Sequence, residues 1–317
     1  MRTKHPSPDF LYNPTMNISR RMFLSAAAAA PFTVKAATLS EVPISVLTDE
    51  IDEDLAHDAE FLHGFGIKWA ELRSIWGKYN TVQPVEKIRE ARSILDAKQI
   101  RTSVVGTAFF RIPLPPEGAA GQAILDKQWT LLNDAMDRAE ILGCDRLRTF
   151  AFMSPKDGQT SERDYTRIYE LLNEAGRRAK SRNIKLAIEN LEGSCISTGA
   201  ESSKVLKAVK ESSVGLTWDP NNAAESGEKP FPDGYRLLDP ARIYNVHVRD
   251  FRHTSDGKVE WTAVGEGEAD NLGQIRALLK DGYKGRFTLE THYKSPKGKE
   301  FATRTSLSGL LKVVEKV

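Results

Sequence analysis

Four side chains that can bind a divalent metal ion each follow a short apolar run in the second half of the chain. The runs are Leu-Ala-Ile before Glu189, Gly-Leu-Thr-Trp before Asp219, Tyr-Asn-Val before His247 and Phe-Thr-Leu before Glu290. Three carboxylates and one imidazole suit Mn²⁺, Mg²⁺, Co²⁺ or Zn²⁺ better than an ion that prefers thiolate ligands. We therefore predict one divalent metal ion per chain. Its ligands, called the metal quartet below, are Glu189, Asp219, His247 and Glu290.

The apolar runs have the composition of buried parallel strands, with a polar residue where each strand opens into a loop. Successive members of the quartet are roughly 28 to 43 residues apart, about the length of one strand-plus-helix unit in an eight-stranded barrel. Earlier in the chain, similar patterns predict strands at 43–47, 68–72, 101–107 and 146–152. The predicted fold is therefore an α/β (β/α)8 TIM barrel, whose C-terminal rim would gather the quartet.

Longer segments around the quartet resemble the motifs of a known superfamily. They include Ile188-Glu189-Asn190, Trp218-Asp219-Pro220-Asn221-Asn222 and Val246-His247-Val248-Arg249-Asp250, followed by Gly282-Tyr283-Lys284-Gly285. In order and spacing they resemble the xylose isomerase-like TIM barrel superfamily of sugar phosphate isomerases and epimerases. That group contains ketose 3-epimerases, inosose dehydratases and hydroxypyruvate isomerases, with endonuclease IV as a distant member. The resemblance covers nearly the whole chain after the N-terminal segment.

The resemblance implies that the quartet binds the metal ion and that Glu189 and Glu290 are also catalytic, one removing a proton and the other returning one. A divalent ion next to a hydroxy-ketone stabilises an enediolate. We therefore predict a metal-dependent sugar isomerase or epimerase that forms an enediolate beside a carbonyl. One alternative is a metal-dependent lyase or dehydratase that acts on a keto-sugar or 3-keto-glycoside. An alternative of another class is a non-catalytic, exported sugar-binding barrel.

Four further residues are candidates for binding the substrate: Glu71, Asn222, Arg249 and His253. Glu71 resembles an acidic residue at the end of the second strand in relatives and could instead contact a metal ligand. Asn222 stands where many relatives have a histidine, and it could equally be a turn residue. Arg249 stands where relatives often carry a lysine and could instead pair with a carboxylate. His253 lies in a segment where polar residues are ordinary.

Two other features near the predicted rim could serve the substrate. The aromatic residues Trp76, Phe109, Phe110 and Trp218 could form an apolar wall against a sugar ring, although aromatic side chains beside strands more often belong to the core. The segment from His247 to about Gly267 is long for a loop, and long loops are frequently functional. It is therefore the best candidate for a lid.

The pattern of the N-terminal residues predicts a targeting signal. Ser19-Arg20-Arg21-Met22-Phe23-Leu24 is a twin-arginine motif, and a mildly apolar run with small residues at Ala36 and Ala37 follows it. We predict that residues 1–37 are an extension and signal peptide and that residues 38–317 form the barrel. The chain would then be exported folded by the twin-arginine machinery to the periplasm or another extracytoplasmic space.

Composition limits the remaining partners. The 317 residues carry a formal net charge of +2, which gives no electrostatic footprint for nucleic acid. After the N-terminal segment, no stretch is long and apolar enough to anchor the chain in a bilayer. The expected partner is a small carbohydrate, with a homo-oligomer as a further possibility. An abasic-site nuclease is disfavoured because it needs additional histidine ligands.

Overall fold

Eight parallel strands close into a barrel in the computed structural model, which describes residues 42–156 and 160–317. They are β1 (Ile44–Leu47), β2 (Trp69–Leu72), β3 (Arg101–Gly106), β4 (Arg146–Thr149), β5 (Lys185–Glu189), β6 (Val214–Trp218), β7 (Ile243–Val248) and β8 (Phe287–Leu289). The barrel closes because β1 pairs with both β2 and β8. The predicted TIM barrel is therefore confirmed. Residues 1–37, the predicted extension and signal, lie outside the described residues.

The prediction for β4 was too long. The strand ends at Thr149 rather than at residue 152, because the next backbone groups have other partners. The N–H groups of Phe150 and Phe152 donate to the carbonyls of Phe109 and Phe110, at 3.0 Å in both cases. This segment therefore leaves the barrel sheet and packs against the loop that follows β3.

A helix follows each strand. The helices are α1 (Leu55–Gly64), α2 (Val85–Ala97), α3 (Ala119–Leu142), α4 (Glu162–Lys180), α5 (Gly199–Ala208), α6 (Pro220–Glu225), α7 (Asn271–Lys280) and α8 (Lys299–Val314). Their ends follow local chemistry: Thr198 and Glu201 form a capping box at the start of α5, and Gly143 ends α3 in the left-handed conformation. In the described part of the chain, no helix is long and apolar enough to cross a membrane.

The interior of the barrel contains a column of buried polar side chains beneath the quartet. Asn245 of β7 donates to Glu71 of β2 at 3.0 Å, and Thr288 of β8 donates to Asn245 at 3.2 Å. Lower in the barrel, the hydroxyls of Ser45 and Ser103 lie 2.7 Å apart. These hydrogen bonds satisfy polar groups that would otherwise be costly to bury, and they join strands that are distant in the sequence.

The predicted loop after β7 is not irregular. It contains an antiparallel hairpin of Asp250–His253 and Val259–Thr262. The Asp250 carboxylate then accepts hydrogen bonds from the backbone N–H groups of Gly265, Gly267 and Ala269, which fold the rest of the segment back onto the hairpin. Backbone pairing thus organises the segment, and its function as a lid stays a prediction.

Candidate metal centre

The barrel brings the four members of the metal quartet together at its C-terminal rim. His247 Nδ1 lies 3.1 Å from Glu290 Oε2, 3.3 Å from Glu189 Oε1 and 3.7 Å from Asp219 Oδ2. One potential ligand atom from each residue lies within 4.8 Å of the others. All four residues are buried, with exposed fractions of 3% or less. The space between these four atoms is called the cation position below.

The donor set fits a divalent metal ion. His247 Nε2 lies 3.2 Å from the Glu71 carboxylate, so it can carry the proton and donate to it. His247 Nδ1 faces the three carboxylates and has no hydrogen-bond partner among the described residues, so this nitrogen can bind a metal ion once it is deprotonated. An imidazole fixed in this way by a carboxylate is the usual arrangement of a metal-binding histidine. Three oxygens and one nitrogen suit the divalent ions predicted from the sequence.

The electrostatics of the cluster also favour a cation between these side chains. Burial opposes the ionisation of Glu290, yet His247 and Arg249 hold the pKa of this carboxyl well below its ordinary value. Burial likewise opposes a charge on His247, but the carboxylates of Glu71 and Glu290 raise the pKa of the imidazole well above its ordinary value. The carboxylates therefore stay charged and attract a positive charge to the cation position, which a divalent ion would supply.

In each of the two glutamates, one oxygen faces His247 and an arginine holds the other. Arg148 Nη1 donates to Glu189 Oε2 at 2.8 Å, and Arg73 Nη1 donates to Glu290 Oε1 at 3.0 Å. Burial opposes ionisation of Glu189, but Arg148, together with His247, lowers the pKa of this carboxyl. The arginines thus orient each carboxylate and leave its second oxygen free for a cation.

Asp219 is fixed in a different way. Its Oδ1 accepts the backbone N–H groups of Asn221 and Asn222, at 2.8 Å and 3.1 Å, and so caps the N-terminus of α6. Its Oδ2 faces His247 and also accepts a hydrogen bond from Arg249 Nη2. Arg249 therefore lies at the edge of the cation position. Its Nε is 3.8 Å from Glu290 Oε2, the oxygen of Glu290 that faces His247.

The sequence placed Arg73 near the rim, but it did not predict that Arg73 and Arg148 pair with the two glutamates. Arg148 is 2% exposed and lies in a strand whose other residues are largely buried. A charged residue in such a strand needs a partner, since an unpaired buried charge is very costly. That was the available signal, but the sequence does not show which carboxylate would be the partner.

Three of the four predicted substrate-binding residues contact the quartet. Glu71 lies behind His247 and is fully buried. Asn222 Nδ2 donates to the Asn190 carbonyl at 2.9 Å, and its Oδ1 accepts from Arg249 at 2.7 Å. His253 is not brought to the quartet: it lies in the hairpin, about half exposed, and pairs with Glu268 at 2.8 Å. The substrate-binding roles stay predictions.

The proposed aromatic wall is mostly core. Phe109, Phe110 and Trp218 are fully buried, and the Phe110 ring stacks on Phe152 with 4.1 Å between ring centroids. Trp218 Nε1 donates to Gln274 of α7 at 3.1 Å, so this side chain faces the helices and not the barrel interior. These three residues are therefore positioned to stabilise the fold.

A cavity of about 620 Å³ lies beside Glu290, between the hairpin and the segment that joins β8 to α8. Its wall includes Trp261, Thr291 and His292. His292 Nδ1 accepts a hydrogen bond from Arg249 at 2.6 Å, and its Nε2 lies 3.6 Å from Glu290 Oε1. The guanidinium group of Arg249 also lies 4.6 Å from the centre of the Trp261 ring. This space, called the β8–α8 cavity below, is thus separated from the quartet by single side chains.

Comparison with known proteins agrees with the architecture. A family model described as the xylose isomerase-like TIM barrel matches residues 59–313. No curated protein sequence matches the chain. Among solved structures, the IolI protein with a bound zinc atom has a TM-score of 0.71 at 17% identity, with 87% of this chain and 99% of that one covered.

Two further solved structures have the same fold. The probable 3-DHS dehydratase AsbF from Bacillus anthracis has a TM-score of 0.67 at 16% identity, with 86% of this chain and 99% of that one covered. The D-allulose 3-epimerase from Methylomonas sp., in complex with D-allulose, has a TM-score of 0.66 at 15% identity, with 87% and 97% covered. At such identities these similarities show the fold alone.

Proposed function

The chain belongs to the xylose isomerase-like TIM barrel family, and from that premise we propose that it is a divalent-metal-dependent sugar isomerase or epimerase. The observation that carries the proposal is the position of His247 Nδ1, which is buried, has no hydrogen-bond partner among the described residues and is surrounded by three carboxylate oxygens. The epimerase and the zinc-bound IolI protein that share the fold support the same class.

A divalent ion held by the quartet would stabilise the negative charge that develops on substrate oxygens during enediolate formation. The chain's own residues would move the proton. Glu189 and Glu290 come from β5 and β8, which are separated in the barrel by β6 and β7. A substrate carbon near the cation position would therefore have a carboxylate on each side, as proton removal and return on opposite faces require.

The oxygen that would transfer the proton can be assigned in each glutamate. In Glu290 it is Oε1, since Oε2 faces His247; Oε1 accepts from Arg73 and lies 3.6 Å from His292 Nε2. In Glu189 the corresponding oxygen is Oε2, which Arg148 holds. Arg148 and His247 lower the pKa of Glu189, and His247 and Arg249 lower that of Glu290, so either glutamate could remove the proton. The opposite glutamate would have to take up a proton from solvent before it could return one to the substrate.

Solvent exchange tests this mechanism. With a keto-sugar in D₂O, the metal-loaded enzyme is expected to incorporate deuterium at the carbon beside the carbonyl. Glu290→Gln should abolish the exchange at equal metal content, because an amide cannot act as the base. The exposed Glu268→Gln serves as the matched control and should exchange normally. Product formed without solvent deuterium would indicate a hydride shift and contradict the mechanism.

Metal analysis tests the site independently of turnover. The purified protein should carry about one divalent ion per chain, and Asp219→Asn or Glu189→Gln should lower this content sharply. Full metal content in both variants would contradict the assignment of the quartet.

A lyase or dehydratase is the second candidate, supported by the dehydratase that shares the fold. It would begin with the same removal of a proton beside the carbonyl and would then expel a β-leaving group. The same D₂O reaction distinguishes the two, since elimination yields an unsaturated product and epimerisation does not. Complete retention of the quartet argues against a non-catalytic sugar-binding barrel.

We further propose that the enzyme acts outside the cytoplasm on sugars or glycosides without phosphate. The motif Arg20-Arg21 supports this location. Replacing both arginines with lysine should retain the protein in the cytoplasm, as cell fractionation would show. Unchanged extracytoplasmic recovery would show that the motif is not read as a signal.

A further inference from the structure

We propose that the guanidinium group of Arg73 occupies the place of a second metal ion beside the quartet. Arg73 thereby limits the centre to one ion and keeps Glu290 Oε1 available as a base. This inference deepens the proposed function and rests on it, because the quartet would hold the first ion. Arg73 acts through Glu290, so it is a positioning residue.

Arg73 lies among three carboxylates from adjacent parts of the rim. Its Nε donates to Asp49 at 2.8 Å, and its Nη2 donates to Glu50 at 2.8 Å. Its Nη1 donates to Glu290 Oε1 at 3.0 Å. These carboxylates follow β1 and β8, and Arg73 follows β2, which are neighbouring strands in the barrel. Burial opposes a charge on Arg73, but the three carboxylates raise the pKa of its guanidinium group. This group is therefore a permanent cation with acidic neighbours.

The same place has the side chains of a metal site. Glu50, Glu290 and His292 each offer one ligand atom, and these atoms lie within 4.8 Å of one another. Glu50 and His292 also line the β8–α8 cavity, from which an ion could enter. Carboxylate oxygens suit Mn²⁺ and Mg²⁺. Without Arg73, these carboxylates would lack their cation and would attract another one.

A second arginine also opposes an ion at this place. Arg249 donates to His292 Nδ1 at 2.6 Å. Because a guanidinium group cannot accept a hydrogen bond, His292 Nδ1 must be the acceptor and Nε2 carries the proton. His292 Nε2 lies 3.6 Å from Glu290 Oε1 and in this tautomer has no lone pair for a metal ion.

The backbone of Arg73 is held on two sides, so the side chain is anchored close to the carboxylates. The buried Asn80 side chain donates to the carbonyl groups of Arg73 and Leu72, at 2.9 Å and 3.1 Å. The Asn80 backbone N–H also donates to the Arg73 carbonyl at 3.0 Å. On the other side, Gly106 of β3 approaches so closely that a Cβ atom there would lie 3.2 Å from Arg73 Cα. An incoming ion would have to displace a guanidinium group whose stem is fixed.

This arrangement divides Glu290 between two cations. Its Oε2 faces His247 and the cation position, whereas its Oε1 accepts a hydrogen bond from Arg73. An oxygen that accepts a hydrogen bond can still take up a proton from a substrate, but direct coordination to a second divalent ion would oppose protonation strongly. Arg73 therefore orients Oε1 without removing it from the reaction.

Metal content tests the inference without turnover. After dialysis against excess Mn²⁺, the wild type should retain about one ion per chain and Arg73→Ser about two. Adding Glu50→Gln to Arg73→Ser should remove the second ion, whereas adding Asp219→Asn should remove the first. Arg73→Lys should retain one ion, because it keeps a positive charge at this place. Arg163→Ser, which breaks an exposed pair with Glu117, is the matched control and should also retain one.

The metal dependence of solvent exchange provides a signature that a purely structural role would not produce. Exchange by the wild type should rise with Mn²⁺ to a plateau. Exchange by Arg73→Ser should rise and then fall at least about tenfold as the second ion binds to Glu290 Oε1. Methylguanidinium at millimolar concentration should occupy the vacated place, displace the second ion and reverse this fall. Arg73→Gln, which keeps an amide donor but no charge, is a second variant with the same expected result.

Two tightly bound ions in the wild type, or one ion in both Arg73→Ser and Arg73→Gln, overturns the inference. If the wild type holds one ion and exchanges deuterium while neither variant gains an ion, the inference falls alone. If the wild type holds no ion but Arg73→Ser binds one that Glu50→Gln removes, exclusion of an ion by Arg73 stands and the proposed function falls.

Discussion

Two carboxyl groups in this protein, those of Asp58 and Glu290, are similarly buried but have pKa values shifted in opposite directions. Asp58 of α1 is 2% exposed, and burial raises its pKa to about 9. Glu290 is 3% exposed, but the pKa of its carboxyl is held well below the ordinary value because His247 and Arg249 offset the effect of burial. Burial alone would therefore have protonated the predicted metal ligands. The nearby cationic side chains keep these oxygens charged before any metal ion arrives.

The largest expected effect comes from removing one of those cations. Arg148→Met leaves Glu189 buried without its partner, and breaking a buried pair in this way costs about 3–5 kcal/mol. Urea unfolding of the metal-stripped protein should show this loss in the free energy of unfolding, and added metal should recover part of it. Arg163→Met breaks an exposed pair with Glu117 and should cost no more than about 1 kcal/mol. Equal losses in both variants would contradict the comparison.

Glu71→Gln tests the carboxylate behind the histidine. The amide can no longer provide the charge that orients His247, so metal affinity should fall about 10- to 100-fold. Metal titration followed by calorimetry measures the change. Glu268→Gln, which alters an exposed partner of His253, should leave the affinity unchanged. A wild-type Kd for Glu71→Gln would show that this contact does not support the metal site.

Arg249→Gln should act in the opposite direction. The guanidinium group contacts Asp219 Oδ2 and lies near Glu290 Oε2, two of the oxygens that face the cation position, so it competes with an incoming ion. We expect metal affinity to rise about tenfold, the equivalent of about 1.4 kcal/mol, while the metal-stripped variant melts at a lower temperature. Weaker metal binding in this variant would assign Arg249 a supporting role instead.

The smallest effect concerns Asp58. Its folded-state pKa of about 9 exceeds the unfolded value, so the folded state holds an extra proton between about pH 4 and pH 9. The free energy of unfolding therefore decreases as pH rises through this window. Asp58→Asn removes that dependence, and its stability relative to wild type should grow by about 1.4 kcal/mol from pH 6 to pH 7. A constant difference would show that Asp58 is ionised in the folded state.

The sequence predicted the barrel and the meeting of the quartet because both depend on local patterns. Glu189 and His247 each follow an apolar run, and parallel strands in a closed barrel bring such residues to one rim. Which carboxylate each arginine pairs with depends instead on how the barrel closes. Arg146 and Arg148 are equivalent in the pattern of β4, yet Arg146 pairs with the adjacent Asp145 and Arg148 reaches Glu189.

His253 is a residue that the sequence predicted at the site and that the structure places elsewhere. It lies six residues after His247 and was a reasonable candidate for the substrate site. Antiparallel pairing of His253 with Val259 places it in the hairpin, where Glu268 is its partner. Closeness in sequence therefore did not indicate closeness in space, because the hairpin directs the chain away from the rim.

The two contacts of the Asp219 carboxylate would make metal binding at the quartet observable from the backbone. Its Oδ2 faces the cation position while its Oδ1 accepts the amides of Asn221 and Asn222. An ion that draws electron density from one oxygen weakens the other as an acceptor, so the ¹H and ¹⁵N resonances of these two amides should shift when the quartet is filled. With a diamagnetic ion such as Zn²⁺ or Mg²⁺, the first turn of α6 becomes an intrinsic spectroscopic gauge of occupancy that requires neither substrate nor label.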